Sequence, residues 1–446
     1  MLKYEIIYND LLQLIQSGQM PSGSKVPSIR SLKQQYTCST STVQTALFKL
    51  EEQHLIYAVP KSGFYVVDHE MLPKPADQNI IDFATASPTW HHFPYRDFQH
   101  CMNKSIDIYQ EDLFQYGTSH GLPSLLKEAQ KLLESYQVFA GTNQIFVTSG
   151  VQRALSILSV MPFPNGRSRI LVEQPGYHLY LGYLEAHSIP VAGIQRTAEG
   201  IDLNRLEHMF QQGDIKFFYC MPRFHNPLGT SLSKKQKATI LKLAHQYDVY
   251  IVEDDYIADF EESTKNDPLY AMDIHDRVIY LKSFSKIMFP GLRIGLTVLP
   301  DSMTTSFQRF KRISDIDSSM ISQGALELYI KSGMFLRYRD QVKKAYIERA
   351  LELQKALQKH LPDYRVPSVM AMHTHLTLPK HVNLPSLIRA LAEKKVLLEM
   401  MDEHYLKDFY QEKLLKINVS KVEKHQIEKG IEMIAEELHL GRHRFV

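Results

Sequence analysis

The sequence predicts an α/β protein: a large domain built on a mainly parallel sheet, preceded by a small helical head that closes with two strands. Two observations carry the large domain. From Ile80 onward, apolar strand-like runs alternate with stretches of helical periodicity and no internal repeat interrupts them, as expected where helices cover both faces of a parallel sheet. The residues of chemical interest also fall just after strand-like runs, where open α/β sheets bind their ligands. A third observation separates the head. Residues 68–79, with Glu70, Pro73, Lys74 and Pro75, are polar and proline-bearing, the composition of a semi-rigid linker. The expected boundaries are 1–67, 68–79 and 80–446.

Composition is consistent with this division. A chain of 446 residues is too long for one ordinary core, and 44% hydrophobic with 22% charged residues describes a globular protein rather than a disordered one. No apolar run approaches the length of a membrane span and the N-terminus lacks a signal-peptide layout, so a cytoplasmic protein is expected. Cys38, Cys101 and Cys220 are too widely spaced to suggest a disulfide framework or a zinc site, and no metal is expected. The net charge of +2 says little about partners, because a basic face can sit on a neutral whole.

In the head, Tyr4, Ile7, Tyr8, Leu11, Leu14 and Ile15 fall at helical spacing, and Gly18, Pro21 and Gly23 end that helix. A short second helix follows Ser28, a candidate cap, and carries Arg30, Leu32 and Tyr36. After Cys38, the run Ser39-Thr40-Ser41-Thr42 opens a third helix with Val43, Ala46, Leu47 and Leu50 on one face. Two short helices separated by a tight turn, the second opening on hydroxyls, have the layout of a helix-turn-helix. Strands at Ile56 to Val59 and Phe64 to Val67 then flank a Pro-Lys-Ser-Gly turn, a wing.

In the large domain the most informative stretch is Ser283 to Gly295, Ser-Phe-Ser-Lys-Ile-Met-Phe-Pro-Gly-Leu-Arg-Ile-Gly. It places Lys286 on a turn between two strand-like runs. The lysine amine can condense with an aldehyde, the hydroxyls of Ser283 and Ser285 can donate to phosphate oxygens, and the planar fork of Arg293 can clamp a dianion. Earlier, Ile145-Phe146-Val147 leads through Gly150 into a helix. The free N–H groups of Val151 and Gln152 would there face an anion. The strand Tyr250-Ile251-Val252 ends in Glu253-Asp254-Asp255-Tyr256, an acid cluster that is costly unless a positive group uses it.

Both parts resemble known families. Pro21-x-Gly23, Pro27-Ser28-x-Arg30, Ser39-x-x-Thr42-Val43 and Gly63 follow in the order of GntR-type winged helices. The resemblance implies double-stranded DNA as partner. Arg30, Ser39, Thr40 and Thr42 stand in its motifs, Gln44 and Thr45 would reach the major groove, and Lys61 and Gly63 belong to the wing. Thr40 stands where the family usually has arginine, which removes a phosphate or guanine contact. With six Lys/Arg against four Asp/Glu in residues 1–67, one head should bind weakly, and tight binding would need two heads on a homodimer.

The large domain resembles fold-type I aminotransferases that use pyridoxal 5′-phosphate, and its lysine segment is similar to that of MocR/GabR-type regulators. The resemblance makes Lys286 the cofactor-bearing lysine and implies that Asp254 pairs with the pyridine nitrogen. Tyr256 and Asn226, from Asn226-Pro227-x-Gly229, would reach the phenolic oxygen; Tyr177 would stack on the ring, and Tyr116 would approach the neighbouring subunit's phosphate. Glu253 or Asp255 in place of Asp254 remains open from sequence, since the strand register is not fixed by it. Lys416, in Leu415-Lys416-Ile417-Asn418-Val419, stands where the family's carboxylate-gripping arginine is expected; Arg223 is the alternative clamp.

The resemblance therefore implies a DNA-binding transcription regulator that senses a small amine or amino acid by exchange at Lys286. A working aminotransferase and a module with a vestigial pocket are its two rivals.

Overall fold

The computed structural model describes residues 3–53, 55–59, 62–67, 80–88, 93–261, 263, 266–367 and 372–443. The expected linker at 68–79 and Lys61 lie outside the described residues. The chain divides into two compact units, Met1–Asn79 and Ile80–Val446.

The first unit holds helices α1 (Lys3–Gln16), α2 (Ile29–Gln35) and α3 (Thr40–Glu52) and strands β1 (Ile56–Val59) and β2 (Gly63–Val66). Gly18, at φ +75°, turns the chain away after α1, a conformation that favours glycine. Ser28 and Ser39 cap α2 and α3 by accepting from the N–H groups of Ser31 and Thr42. Ile7, Leu11, Leu32, Val43, Leu47 and Val66 form its core. The two strands pair antiparallel, Ile56 opposite Val66 and Val59 opposite Gly63, one residue earlier than expected for the second strand.

The second unit is organised by an eight-stranded sheet. Its strands are β4 (Ile145–Thr148), β5 (Arg169–Gln174), β6 (Val191–Thr197), β7 (Gly200–Ile201), β8 (Ile215–Cys220), β9 (Tyr250–Asp254), β10 (Val278–Ser283) and β11 (Gly295–Val298), in spatial order β4-β11-β10-β9-β8-β5-β6-β7. The pairings β10/β9, β9/β8, β8/β5 and β5/β6 are parallel, while β11 runs antiparallel to both its neighbours. β8, β9 and β10 are buried along their whole length, as strands covered on both faces must be. Because β4 and β10 both oppose β11, Thr148 and Ser283 meet at Gly295. The carboxyl ends of β4, β9 and β10 thus converge on one rim.

A smaller layer completes this unit. β3 (Ile81–Asp82) pairs in parallel with β13 (Val396–Leu397), and β12 (His373–Thr377) pairs antiparallel with β14 (Leu414–Asn418), His375 opposite Lys416. Helices Met334–His360, Leu384–Glu393 and Lys424–His443 cover them around Leu353, Leu387, Ile417 and Ile431. Among the described residues, no helix is long and apolar enough to cross a membrane.

Candidate functional site

At the converging strand ends lies a cavity of about 500 Å³. Gly150, Val151 and Gln152 form one wall; Ser283, Ser285, Lys286 and Arg293 a second; Asn226, Asp254 and Tyr256 the floor beside Tyr177; Lys416 closes the far end. A larger groove of about 1220 Å³ runs past Arg196, Glu199 and Arg365. Lys286 is not on its wall, and the chemistry belongs to the smaller cavity.

The wall around Gly150 is built for an anion. Gly150 sits at φ +85°, a conformation that strains other residues, and a Cβ there would come 3.1 Å from Arg293 Nη2 and press on the guanidinium. The helix Val151–Val160 starts directly after it with no side-chain cap, leaving its first N–H groups open to the cavity end. Arg293 adopts the left-handed conformation (φ +55°), and its Nη2 donates to the Ser149 carbonyl at 3.2 Å. Ser283 Oγ accepts from the Ser285 N–H at 3.2 Å.

Opposite this wall, the Asp254 carboxylate is 3% exposed. Its Oδ2 accepts from the Tyr219 hydroxyl at 2.8 Å, while Oδ1 is buried without a hydrogen-bond partner. Burial lifts its pKa to about 7, with Asp255 adding to the rise and Tyr219 opposing it. A buried carboxylate oxygen left without a donor is expensive, and a ligand N–H would satisfy it. Lys286 donates to the Ala86 carbonyl. Burial, reinforced by Lys416 and opposed by Glu399, lowers its pKa to about 8, so a fraction of the amine is neutral and nucleophilic near neutral pH.

The alternation of side chains along β9 resolves the acid cluster. Asp254 points to the cavity, while its neighbours turn into protein. Glu253 accepts from the N–H groups of Leu269 and Tyr270 at 2.8 and 2.9 Å. Asp255 is held by the Arg223 guanidinium and by the Tyr280 hydroxyl at 2.7 Å.

One expected site residue is not brought to the cavity. Arg223, the alternative carboxylate clamp, is only 4% exposed and committed to Asp255 and the Asn266 carbonyl; a buried charge so paired cannot also reach a ligand. Tyr116, expected at the neighbouring subunit's phosphate, is 86% exposed and lines no part of this chain's own cavity. Tyr256 does line it, but its hydroxyl donates to the Phe224 carbonyl at 2.9 Å, so its proton is already committed.

Sequence reading missed the partners of Lys416. This lysine is buried (3%) at the far end of the cavity and its Nζ lies 2.9 Å from Glu399 Oε2. Glu399 Oε1 is 3.5 Å from His404 Nε2, and His404 Nδ1 donates to the Gly176 carbonyl at 2.8 Å. His178 packs edge-on against His404, ring centroids 4.8 Å apart. Glu399 follows the two-residue strand β13, which has no sequence signature, so only its position at a strand end hinted at it. Tyr219, two strands from Lys286, had no hint beyond lying on β8.

In the head, Arg30, Ser39, Thr40, Gln44, Thr45 and Gly63 are exposed and Thr42 half-buried. Ser39 Oγ is engaged by the Thr42 N–H at 3.2 Å and lies 2.8 Å from Thr42 Oγ1; Thr45 Oγ1 donates to the Ser41 carbonyl at 2.9 Å. These hydroxyls serve the helix first. Gln44 is exposed on α3 between them, with a longer reach.

A small winged helix and an aminotransferase-like α/β unit with a lysine at its strand ends define the class of protein. The family "Bacterial regulatory proteins, gntR family" matches residues 3–66, and "Aminotransferase class I and II" matches residues 86–434. The HTH-type transcriptional regulator YcxD of Bacillus subtilis, itself uncharacterized, is 50% identical over 442 residues, covering 98% of this chain and 100% of that protein. Aromatic-amino-acid aminotransferase 1 of Thermococcus litoralis is 27% identical, over 82% of this chain and 90% of its own length. The crystal structure of Pyrococcus horikoshii kynurenine aminotransferase in complex with PMP superposes with a TM-score of 0.74 at 25% identity, covering 82% of this chain and 92% of that one. The chain belongs to the HTH-type transcriptional regulators that join a GntR head to a class I and II aminotransferase domain, the MocR-like architecture. Members of the aminotransferase family use pyridoxal phosphate.

Proposed function

We propose that this regulator holds pyridoxal 5′-phosphate at Lys286 and changes its hold on DNA when a small amine takes the lysine's place. The observation that carries this reading is the cavity itself. Its anion wall of Gly150, Val151, Gln152 and Arg293 lies in one pocket with Lys286 and with the unpartnered Oδ1 of Asp254, matching a phosphate, an aldehyde and a protonated ring nitrogen. When bound, the cofactor supplies an aldehyde that condenses with amines and a ring that withdraws electrons. Arg293 and the helix start would bind its phosphate, Asp254 would hold the ring-nitrogen proton, and Asn226 and Tyr177 would orient the ring.

Turnover of ordinary α-amino acids is disfavoured. Lys416 offers a point charge on a flexible stem where a rigid fork is expected, and that charge is already engaged by Glu399. A loosely held α-carboxylate misplaces the Cα–H bond, which costs on the order of 100-fold in rate.

The working form is a homodimer presenting two heads to a cytoplasmic operator. Fold-type I sites draw residues from two subunits, and exposed Tyr116 is the residue this chain would lend. An amine that binds two arrangements of the dimer unequally shifts the population between them and so changes operator affinity. The test is operator affinity by fluorescence anisotropy for the apo protein, the cofactor-loaded protein and the loaded protein with candidate amines. The reading expects the curves to separate; superimposable curves with every amine overturn it.

A further inference from the structure

Tyr219 is 1% exposed on β8 and forms no part of the cavity wall, yet its hydroxyl donates to Asp254 Oδ2 at 2.8 Å. The register of the sheet makes this contact. In the parallel pair β8/β9, Tyr219 stands opposite Val252, so Asp254, two residues further along β9, points to the same face as a diagonal neighbour. The Tyr219 ring packs edge-on against Tyr180, centroids 4.9 Å apart, and the Tyr180 hydroxyl lies 2.9 Å from Ser159 Oγ. Among the described residues Tyr219 is the one hydrogen-bond donor to this carboxylate, and Oδ1 is buried without a partner.

A phenol fixed on one oxygen restrains the carboxylate from turning and leaves the other oxygen with its full capacity to accept. A hydrogen bond to the charged form also favours that form. Burial pushes the Asp254 carboxyl up to about 7; Tyr219 opposes the rise and Asp255 adds to it. The other groups around the carboxylate are engaged elsewhere or stay neutral. Burial pushes the Tyr177 and Tyr256 hydroxyls and the Cys220 thiol up, with the charge of Asp254 adding to each rise, and the Tyr256 hydroxyl donates to the Phe224 carbonyl. Lys286 and Arg293 line the same cavity but donate to the carbonyls of Ala86 and Ser149.

We propose that Tyr219 is a positioning residue for the cofactor: acting through Asp254, its hydroxyl sets one carboxylate oxygen aside for the ring nitrogen and favours the charged form that can accept the ring N–H. The inference rests on pyridoxal phosphate occupying this cavity, and it assigns the tuning of the ring to a side chain outside the cavity wall. A protonated Asp254 would lose the charge that holds the ring N–H, so the acidic limb of cofactor binding follows this carboxyl. Removing a group that opposes the rise lets the carboxyl climb further, and the limb moves to higher pH. The cofactor's phosphate also titrates on the acid side, but alike in every variant, so the difference between variants reports Asp254.

The experiment is a spectrophotometric titration of the full-length protein with pyridoxal phosphate, repeated across pH, for the unaltered chain, Tyr219→Phe, Asp254→Asn and the double variant. Phenylalanine keeps the ring and removes only the donor. In the unaltered protein affinity should fall as pH drops through about 7. Tyr219→Phe should move that limb upward by about one pH unit and weaken binding at neutral pH by about fivefold or more. With Asp254→Asn in place, removing the hydroxyl should shift no limb. A tyrosine fluorinated beside its hydroxyl, placed at position 219, is a stronger donor and should move the limb the other way; it decides the matter if Tyr219→Phe does not fold. An unmoved limb, a loss of affinity equal at every pH, or a limb shift by Tyr219→Phe that persists beside Asp254→Asn would each overturn the proposal. Absence of a cofactor band in the unaltered protein at every pH overturns instead the reading beneath it.

Discussion

Lys286 and Asp254 set the chemistry of the cavity through opposite consequences of one cause, burial. Desolvation disfavours the charged form, so the lysine is lowered to about 8 and the aspartate lifted to about 7. Lys286→Ala should abolish the visible absorption of the lysine-linked cofactor while the far-ultraviolet circular dichroism stays unchanged. Reduction with borohydride followed by peptide mapping checks the assignment, and a pyridoxyl group on another lysine would refute it. Asp254 makes a prediction about pH. Its folded pKa exceeds its ordinary 3.8, so its contribution to stability is fully present below that value and is lost as pH rises towards about 7. In the cofactor-free protein, Asp254→Asn should therefore make the fall in melting temperature across that window shallower. An unchanged slope would mean that the carboxyl is not desolvated.

At the scale of elements, the site depends on where strands end and helices begin. The turn from β4 into the helix Val151–Val160 is shaped by Gly150, whose positive φ strains any other residue and where a Cβ would press on Arg293 at 3.1 Å. Gly150→Ala should weaken pyridoxal phosphate binding by about tenfold or more, since a strained backbone and a displaced guanidinium both act on the phosphate end. A spectrophotometric titration measures this, and unchanged affinity would show that the phosphate lies elsewhere. Gly295 meets the same turn from β11, where a Cβ would fall 2.9 Å from the Val151 nitrogen. In the head, Ser39 is the corresponding element-scale device. Ser39→Ala removes the cap of α3 and should cost about 1 kcal/mol, visible as faster amide exchange in the first turn of α3.

At the scale of the whole molecule, the proposed homodimer makes affinity for DNA a matter of number rather than of charge. The head's six basic and four acidic residues, with Thr40 in place of a basic contact, leave a single head little electrostatic attraction. Two heads on one dimer raise the effective concentration of the second after the first has bound. Sedimentation should therefore give a dimeric mass at concentrations where operator is bound, and an operator cut to one half-site should lose at least about a hundredfold in affinity. A monomer that binds full operators tightly would contradict this.

The sequence alone determined the two-part organisation, the mainly parallel sheet and the chemical identity of most of the cavity wall. These follow from local rules: apolar periodicity, a hydroxyl cap at Ser28, glycines at forced turns, and functional side chains placed directly after strands. What it left open were questions of facing and of distant company. Glu253, Asp254 and Asp255 are equivalent as letters, and only the pleat of β9 decides that Asp254 enters the cavity while Asp255 ties down Arg223. Lys416 stood out as a departure from a motif. Its partner Glu399 is seventeen residues earlier on another segment, and His404 is tied to Gly176 across 228 positions. The pairing to Gly176 is made where the short helix Asp402–His404 packs against the helix His178–Ala186. The pairing of groups around the cavity is therefore a property of the tertiary structure, because a hydrogen bond depends on separation in space and not along the chain.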